Sequence, residues 1–592
     1  MSNNNPPNVN NSKKRKRQLA NNPLSDARRH KATSAAVLSK TEQKAASLWH
    51  RKSGAGFSLF LSYYGKQPTG VVAEASSMET LSKSSPPSKS AALTKGAGQS
   101  RAAKRRHKKK NTGVLISNNP GNTTNEETQQ QEQHEQCHSN LSVNTAQILD
   151  ASVSSSKLVQ VLHTKTHQRQ HAHLTPFVAA LSRPLPLTFR LRSICSNEKH
   201  QLIQELSTKY NNLVQPVSYD SSKSTIYQSI PPLCKLTLTK VSPSLRTLLL
   251  DASSNGLMAR QELGSMLPVI TLHAGGWMNY GSRVLDMCAS PGSKTLQALE
   301  IVANDNNPSY GSKSHKRKPG RVVANDIHPL RLEALQDAVK RSGVASTLTS
   351  RLTYTNFDAS AFPTPKSGKL FDGIIADVPC SGDGTVRKDA HLLPLWNPGT
   401  GSVLHKLQVR ILERALRLVK VGGVVCYSTC SLNPVEDEAV VGAVLRRVRS
   451  MMGPDQDEEI EAQHPTVEIV EWPNDALPGL IRRNGVSHWF VADYCDDTTR
   501  KNDNDTNDDN GELDEDDDAD PLTLRWYNNY KEAKNAGMSN AEPTLWPPTA
   551  EEARKFHLDR CNRLWPQDQD TGGFFVALLR KNREFALSTN RS

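Results

Sequence analysis

Two cysteines stand in turns that follow short apolar runs, and their thiols are the side chains best suited to covalent chemistry. Cys380 lies in DVPCSGDG after the run FDGIIA, and Cys430 lies in STCS after GVVCY. A thiolate can add to an electron-poor carbon atom and leave again, which is nucleophilic catalysis. The alternative for either residue alone is an inert core thiol, the commoner fate of an intracellular cysteine. Two thiols that follow adjacent strands would face one crevice, which favours the chemical interpretation.

Seven residues form a third turn between the apolar run RVLDM and a helical pattern. They are Cys288, Ala289, Ser290, Pro291, Gly292, Ser293 and Lys294. Gly292 lets the backbone approach a ligand closely, and amides at the start of the following helix can hold a carboxylate. With one glycine, the turn is not the dinucleotide fingerprint GxGxxG, so by itself it is a weak signal.

Two aspartates follow the next two apolar runs along the chain. Asp326 ends RVVAND, where a carboxylate can accept hydrogen bonds from both ribose hydroxyls of an adenosine. Asp358, in TNFDAS, is placed to accept a hydrogen bond from the adenine amino group. Each aspartate alone is more often a helix cap. The turn at 288–294 and these two aspartates, in this order along one sheet edge, favour a cofactor that contains adenosine.

The elements that must position these residues alternate between strand and helix patterns. Between positions 283 and 448, short runs rich in Val and Ile alternate with helical periodicity, which predicts a parallel, doubly wound α/β sheet. Ligands bind such sheets beyond the carboxyl ends of the strands, where the turns above occur. The segments TVEIVEWP and GGFFVALLRK are expected to complete the sheet. The last strand should be antiparallel, because little chain remains for another crossover.

The chain divides into regions of different composition. We predict a disordered, basic, low-complexity tail over 1–158, an accessory RNA-binding domain over 174–250 and a catalytic domain over 251–582. An acidic run at about 496–520 is predicted to be a disordered, solvated insertion. The tail contains the basic runs KKRKR (13–17) and KRRHKKK (104–110), which fit nuclear-import signals or arms that bind RNA. The alternative for both runs is solvated charge without a partner.

The charge of the chain indicates its partner class. A net charge of +15 and a pI near 9.3 favour a polyanion such as nucleic acid as the partner, with a membrane surface as the competing explanation. We expect no membrane span, because no apolar run approaches about 18 residues. We expect no metal site, because the nine cysteines form no CxxC pair. We further expect a monomer located in the nucleus, with the nucleolus and cytoplasm as other possible compartments.

The motifs DMCASPGSKT, DVPCSGDGT and YSTCSLNPVEDE resemble those of the RNA cytosine-5 methyltransferases of the RsmB/NSUN family, over roughly residues 174 to 580. Three further segments look most like the branch that modifies tRNA: ARQELGSMLP, GDGTVRKD and HLDRCNRLWPQDQDTGGFFVA. The resemblance implies a class I S-adenosylmethionine-dependent methyltransferase fold with a mostly parallel, seven-stranded sheet. It implies S-adenosylmethionine as cofactor and RNA, above all tRNA, as substrate.

The resemblance also implies roles for four residues. Carbon 5 of cytosine becomes nucleophilic only after a thiolate adds to carbon 6, and Cys430 corresponds to that nucleophile. Cys380 corresponds to the cysteine of the release step. Asp377 either donates, when protonated, to cytosine N3 or lies beside the cofactor. Lys294 either stabilises a neighbouring thiolate or contacts the base, and its alternative is an ordinary lysine at a helix start.

Three other interpretations remain at this stage. In DNA cytosine methyltransferases a Pro-Cys cysteine is the nucleophile, which would exchange the roles of Cys380 and Cys430. A protein with this fold can also be a non-catalytic RNA-binding assembly factor. Ribosomal RNA is the alternative substrate, since basic tails suit enzymes of ribosome assembly as well.

Overall fold

The structure is a computed structural model of the whole chain. It describes residues 55–67, 175–193, 196–220, 225–230, 233–235, 237–304, 318–451, 461, 464–496 and 522–585. The basic runs at 13–17 and 104–110 and most of the acidic run lie outside these residues. The first part of the basic segment SKSHKRKPGR, residues 312–317, also lies outside them.

The helices and strands are numbered here in chain order. The α-helices are α1 (Ala55–Lys66), α2 (Thr175–Leu181), α3 (Asn197–Thr208), α4 (Leu238–Val241), α5 (Pro243–Ser254), α6 (Leu263–Ala274), α7 (Ser293–Ala303), α8 (Pro329–Lys340), α9 (Ser346–Thr349), α10 (Gly399–Leu418), α11 (Glu438–Ser450), α12 (Tyr530–Asn535), α13 (Ala550–Phe556) and α14 (Pro566–Gln569). The strands are β1 (Thr188–Leu191), β2 (Val214–Pro216), β3 (Ile226–Ser229), β4 (Met258–Arg260), β5 (Arg283–Asp286), β6 (Arg321–Asn325), β7 (Leu352–Thr355), β8 (Phe371–Asp377), β9 (Val419–Thr429), β10 (Val467–Ile469), β11 (Arg483–Asn484), β12 (Val491–Asp496), β13 (Leu522–Tyr527), β14 (Asn562–Leu564) and β15 (Phe574–Lys581). Single 3-10 turns cover Ala359–Ala361, Asp383–Thr385, Ala390–Leu395, Pro543–Leu545 and Leu558–Arg560.

A nine-stranded sheet forms the centre of the catalytic domain. Its strand order is β11-β14-β15-β9-β8-β5-β6-β7, and β10 also pairs with β15. The strands from β5 to β9 are parallel, and β15 is antiparallel to β9. This arrangement confirms the predicted mostly parallel, doubly wound α/β sheet and its antiparallel last strand. The sheet extends the predicted seven strands by β11 and β14, whose two and three residues are too few to show a periodic pattern.

Apolar layers cover both faces of this sheet. One layer includes Leu267 on α6 and Leu299 on α7, and the other includes Leu412 on α10 and Val444 on α11. The parallel strands read as nearly continuous apolar runs because both of their faces are buried. This burial fixes the carboxyl ends of β5 to β9 in one row, where the turns of interest begin.

The accessory domain is a four-stranded antiparallel sheet of order β2-β3-β1-β4 with its own apolar core. The predicted boundary at residue 250 is too early, because α5 continues to Ser254 and β4 pairs with β1. The accessory sheet is joined to α7 by a buried ion pair. Arg190 on β1 lies 2.6 Å from Glu300 on α7.

One part of the predicted disordered tail is wrong. Residues Ala55–Lys66 form α1, and Phe60, Tyr63 and Tyr64 on this helix are buried against the catalytic domain. The composition of the surrounding tail suggested disorder, but the apolar residues at spacings of three and four form one buried helical face. Tertiary contacts with the catalytic domain then stabilise a helix that is too short to be stable by itself.

Candidate active site

The carboxyl edge of the sheet holds two groups of loops. The cysteine end consists of residues 378–385 after β8 and 430–437 after β9. The cofactor end consists of residues 287–292 after β5, 326–328 after β6 and 356–358 after β7. The two ends meet between β5 and β8, which are neighbours in the sheet.

The structure brings the two predicted thiols together at the cysteine end. β8 and β9 are parallel, and Asp377 pairs in register with Ser428, so both chains leave the sheet at the same level. The sulfur atoms of Cys380 and Cys430 are 3.2 Å apart. Two cysteines separated by 50 positions in the sequence are therefore in direct contact.

The environments of the two thiols differ. Cys380 is 3% exposed, and its contact with Cys430, together with burial, raises the pKa of its thiol well above the usual value. Cys430 is only partly buried. A protonated, enclosed thiol is a poor attacking group, whereas a partly open one is accessible to a substrate. The geometry therefore favours Cys430 over Cys380 as the nucleophile.

Lys294 connects the two ends of the site. Its Nζ atom lies 2.7 Å from Asp377 and donates to Ser265 Oγ at 2.7 Å. Burial alone would lower the pKa of Lys294, but the Asp377 carboxylate raises it overall, and Cys430 adds to that effect. The lysine is therefore a fixed ammonium group close to Cys430. Asp377 also accepts a hydrogen bond from Ser428 Oγ at 2.7 Å.

A buried glutamate that the sequence analysis did not single out ties the two cysteine loops to each other. Glu436 is fully buried and accepts hydrogen bonds from the backbone N–H and hydroxyl of Ser381 and from the hydroxyl of Ser431. Burial raises the pKa of Glu436 to about 7, although its hydrogen bonds oppose this. The signal was its place in NPVEDE directly after Cys430. Its partner Ser381 lies 55 positions earlier, and nothing in the local sequence pattern indicates that contact.

At the cofactor end, the loop after β5 turns sharply into α7. Gly292 has φ 104°, a left-handed conformation that disfavours a side chain, and an added Cβ would lie 3.2 Å from Leu335. Ser290 accepts from Arg331 and donates its hydroxyl to the Arg331 backbone. Pro291 is exposed at the tip. The loop is thus held open toward solvent by contacts with the start of α8.

The remaining residues of this loop face inward. Ala289 is buried and donates its N–H to the carbonyl of Asn325, and Cys288 is half-buried against the apolar core. Ser293 begins α7. Asp286, at the end of β5, is buried with a pKa raised to about 7 by its burial. Its Oδ1 atom has no hydrogen-bond partner within the described residues, an acceptor that a bound ligand can satisfy.

The two predicted cofactor aspartates differ in exposure. Asp326 is 3% exposed, accepts from the N–H of His328 at 3.0 Å and of Ser290 at 3.3 Å, and lies 3.4 Å from Arg331. Asp358 is exposed and accepts from the N–H of Ser360 as the cap of a 3-10 turn. In this structure Asp358 performs the capping role that was its alternative. Asp326 instead organises the loop.

Two apolar residues beside these aspartates were not predicted. Ile327, after Asp326, is 62% exposed, and Phe357, before Asp358, is 45% exposed. Exposed apolar side chains at a sheet edge are suited to a flat aromatic ligand. With the unpartnered Asp286 oxygen and the Gly292 turn, they fit the predicted S-adenosylmethionine, whose adenine is flat and whose amino group and hydroxyls are donors.

Among the described residues, no cluster of His, Cys, Asp and Glu could hold a metal ion. Within the same part of the chain, no helix is both long and apolar enough to cross a membrane.

Several known proteins are similar to this chain in sequence. Residues 278–474 match the family model described as 16S rRNA methyltransferase RsmB/F. The multisite-specific tRNA:(cytosine-C(5))-methyltransferase trm4b of Schizosaccharomyces pombe is 34% identical over 68% of this chain and 56% of its own length. The multisite-specific tRNA:(cytosine-C(5))-methyltransferase of Saccharomyces cerevisiae is 33% identical over 68% of this chain and 52% of its own length.

A further relative has a different substrate in its name. The ribosomal RNA small subunit methyltransferase F of Escherichia coli is 32% identical over 45% of this chain and 48% of its own length. The chain therefore spans about half the length of the curated relatives that it matches.

Proposed function

We propose that the chain is an S-adenosylmethionine-dependent enzyme of the RsmB/F family that forms 5-methylcytosine in tRNA. One observation carries the proposal: the sulfur atoms of Cys380 and Cys430 are 3.2 Å apart beside a buried ammonium group. Two thiols that only pack in a core would need neither the Lys294–Asp377 ion pair nor the partial exposure of Cys430.

The first step that these residues support is addition of a thiolate to the base. The Cys430 sulfur forms a bond to C6 of cytosine, and the electron pair of the C5–C6 double bond moves toward C5. The charge that develops on the ring needs a donor or a cation nearby, and the Lys294–Asp377 pair provides one. Whether Asp377 acts on the base or beside the cofactor is the part of this step that mutation must distinguish.

S-adenosylmethionine, when bound, supplies the methyl group as an electrophile to C5. The residues that would hold it are those of the cofactor end: the 288–294 turn for its methionine part, Asp326 for the ribose and Asp358 for the adenine amino group. Ile327 and Phe357 supply apolar contact area next to these carboxylates.

Release reverses the first step. The C5 proton passes to a base, its electron pair re-forms the C5–C6 double bond, and the bond from C6 to the Cys430 sulfur breaks to return a thiolate. Cys380, in contact with that sulfur, is the residue we assign to this step. Without release, enzyme and RNA stay covalently joined.

The extent of similarity supports tRNA over rRNA as the substrate. The two tRNA-modifying relatives match 68% of the chain, whereas the rRNA-modifying relative matches 45%. The test is bisulfite sequencing of total RNA from cells with and without the intact gene. Loss of 5-methylcytosine from tRNA positions is the expected result. Loss confined to ribosomal RNA would show that ribosomal RNA, and not tRNA, is the substrate.

The alternative function is a non-catalytic RNA-binding assembly factor. Purified full-length protein, tRNA and S-adenosylmethionine carrying a labelled methyl group distinguish the two. Label in the RNA is expected. Tight RNA binding without label, under conditions where a known RNA methyltransferase labels the same RNA, would favour the assembly factor.

We also propose that the protein acts in the nucleus, on the basis of the KKRKR and KRRHKKK runs. The test is to replace both runs with neutral residues in a fluorescent fusion of the full chain. A shift from nucleus to cytoplasm is expected, and unchanged distribution would contradict the proposal.

A further inference from the structure

The helix α1 contacts the cysteine end directly, although its sequence lies more than 100 positions before the rest of the described chain. The Phe60 ring lies 5.2 Å from the ring of Trp396 and 6.0 Å from that of Phe177. The Tyr63 ring stacks on Trp526 at 5.6 Å. These contacts place α1 over the segment after Cys380 and beside the β12–β13 hairpin.

The polar contacts of α1 reach both cysteine loops. The Tyr64 hydroxyl donates a short, 2.5 Å hydrogen bond to Oδ2 of Asp383, which lies three residues after Cys380. The Tyr63 hydroxyl donates to Oδ1 of Asn433 at 2.9 Å, three residues after Cys430. Each of two adjacent tyrosines therefore holds one loop.

Asp383 also joins the two loops to each other. Its Oδ1 atom accepts from the backbone N–H of Leu432 at 2.7 Å, and its Oδ2 atom accepts from the indole N–H of Trp396 at 3.2 Å. Asp383 is fully buried, so without the Tyr64 hydroxyl its Oδ2 atom would keep only the longer hydrogen bond from Trp396, with no water to replace the lost donor. In addition, the N–H of Gly384 donates to the carbonyl of Cys430 at 2.9 Å.

We propose that α1 is a positioning element of the active site, in which Tyr64 and Tyr63 fix the loops that carry Cys380 and Cys430. This inference rests on the proposed function. Neither tyrosine touches the sulfur atoms, so each acts through the loop that it holds. Reactions that depend on an aligned pair of groups are sensitive to shifts of about 1 Å, which can cost on the order of 100-fold in rate. The predicted consequence is that a segment far from the catalytic motifs controls turnover.

The test uses the full-length protein with Tyr64→Phe, Tyr63→Phe and the double variant. The matched control is Tyr280→Phe, because Tyr280 is a buried tyrosine shortly before β5, at the opposite edge of the sheet from the cysteines. Each protein is measured for kcat and KM with tRNA, for melting temperature, and for the fraction bound covalently to RNA on a denaturing gel. Removing only a hydroxyl keeps the ring packing in every variant.

We expect kcat of Tyr64→Phe and Tyr63→Phe to fall about tenfold, with KM unchanged and a melting temperature like that of Tyr280→Phe. The covalent fraction should rise for Tyr64→Phe, because Asp383 follows the cysteine assigned to release. It should not rise for Tyr63→Phe. Values of kcat equal to that of the control would overturn the inference, as would a loss of kcat that follows melting temperature in all variants. Absence of activity in the wild-type protein would contradict the proposed function instead.

Discussion

At the cofactor end, Asp326 and Asp358 each accept a hydrogen bond from a backbone N–H two residues further along the chain, and the most distant donor, Ser290 to Asp326, lies 36 positions earlier. At the cysteine end, the carboxylates are held from far away in the sequence. Asp383 accepts from Tyr64, 319 positions earlier, and Glu436 accepts from Ser381, 55 positions earlier. Carboxylates that are held mainly by nearby residues, beside exposed apolar side chains, suit a ligand that binds and leaves. Buried carboxylates that are held by distant partners suit loops that must keep two thiols aligned.

Buried groups with raised pKa values occur at both ends of the site. Burial raises the pKa of Glu436 to about 7, and the contact with Cys430, together with burial, raises the pKa of the Cys380 thiol well above its usual value. The cofactor end shares this feature at Asp286, the buried carboxyl at the end of β5. The more exposed residues of the cofactor end lie in water, where an ionised group costs little free energy.

The largest effect is expected from the two cysteines. Cys430→Ala should abolish methylation and form no covalent adduct, because no thiolate remains to attack C6. Cys380→Ala should add through Cys430, transfer the methyl group and then fail to release, so that a slow, ribonuclease-sensitive band accumulates on a denaturing gel. The double variant should lack the band. A band for Cys430→Ala and none for Cys380→Ala would exchange their roles, and full activity in both variants would exclude the covalent mechanism.

The next effect concerns stability and pH at the cysteine end. Folded Glu436 keeps its proton up to about pH 7, whereas the ordinary value is 4.5, so its burial favours the folded state below pH 4.5. That contribution is lost as the pH rises to about 7, a change of roughly 3 kcal/mol at most. Urea denaturation of Glu436→Gln between these pH values should show a shallower loss of stability than the wild type.

The matched control for this measurement is Glu333→Gln, on the exposed face of α8. Its pH dependence should follow that of the wild type. If Glu436→Gln also follows the wild type, then Glu436 is not protonated in the folded protein.

A smaller effect is expected where the two ends meet. Lys294→Met removes the ammonium group that pairs with Asp377, so kcat/KM should fall about 100-fold, or roughly 3 kcal/mol. Lys340→Met, which removes an exposed lysine of a surface ion pair, serves as control and should change kcat/KM less than about twofold. A similar small change for Lys294→Met would show that the charge near Cys430 does not contribute to catalysis.

The smallest effects are expected at the cofactor end. Asp326→Ala should weaken S-adenosylmethionine binding about tenfold in calorimetry, because one charge-assisted hydrogen bond and the support of Ser290 are lost. Asp358→Ala should weaken it only about two- to threefold, because an exposed carboxylate is replaced by water at little cost. Equal affinity of Asp326→Ala and wild type would remove Asp326 from the cofactor site.

The sequence predicted the order of strands and helices and the turns at their ends. RVLDM, RVVAN and FDGIIAD became β5, β6 and β8 because a run of branched apolar residues specifies a strand buried on both faces. From that order alone, Cys380 and Cys430 had to leave adjacent strand ends. Local pattern and the rules of parallel sheets were sufficient for this part of the site.

Only the tertiary structure decided which distant side chains complete the site. Nothing near Asp383 in the chain indicates Tyr64, and the polar composition of the surrounding sequence hides the helix that carries Tyr64. The same holds for Glu436 with Ser381 and for Lys294 with Asp377. Periodicity reports which face of an element is buried, because burial acts on each residue through its own side chain. The partner of a buried polar group depends on how the whole chain folds, and no short segment contains that information.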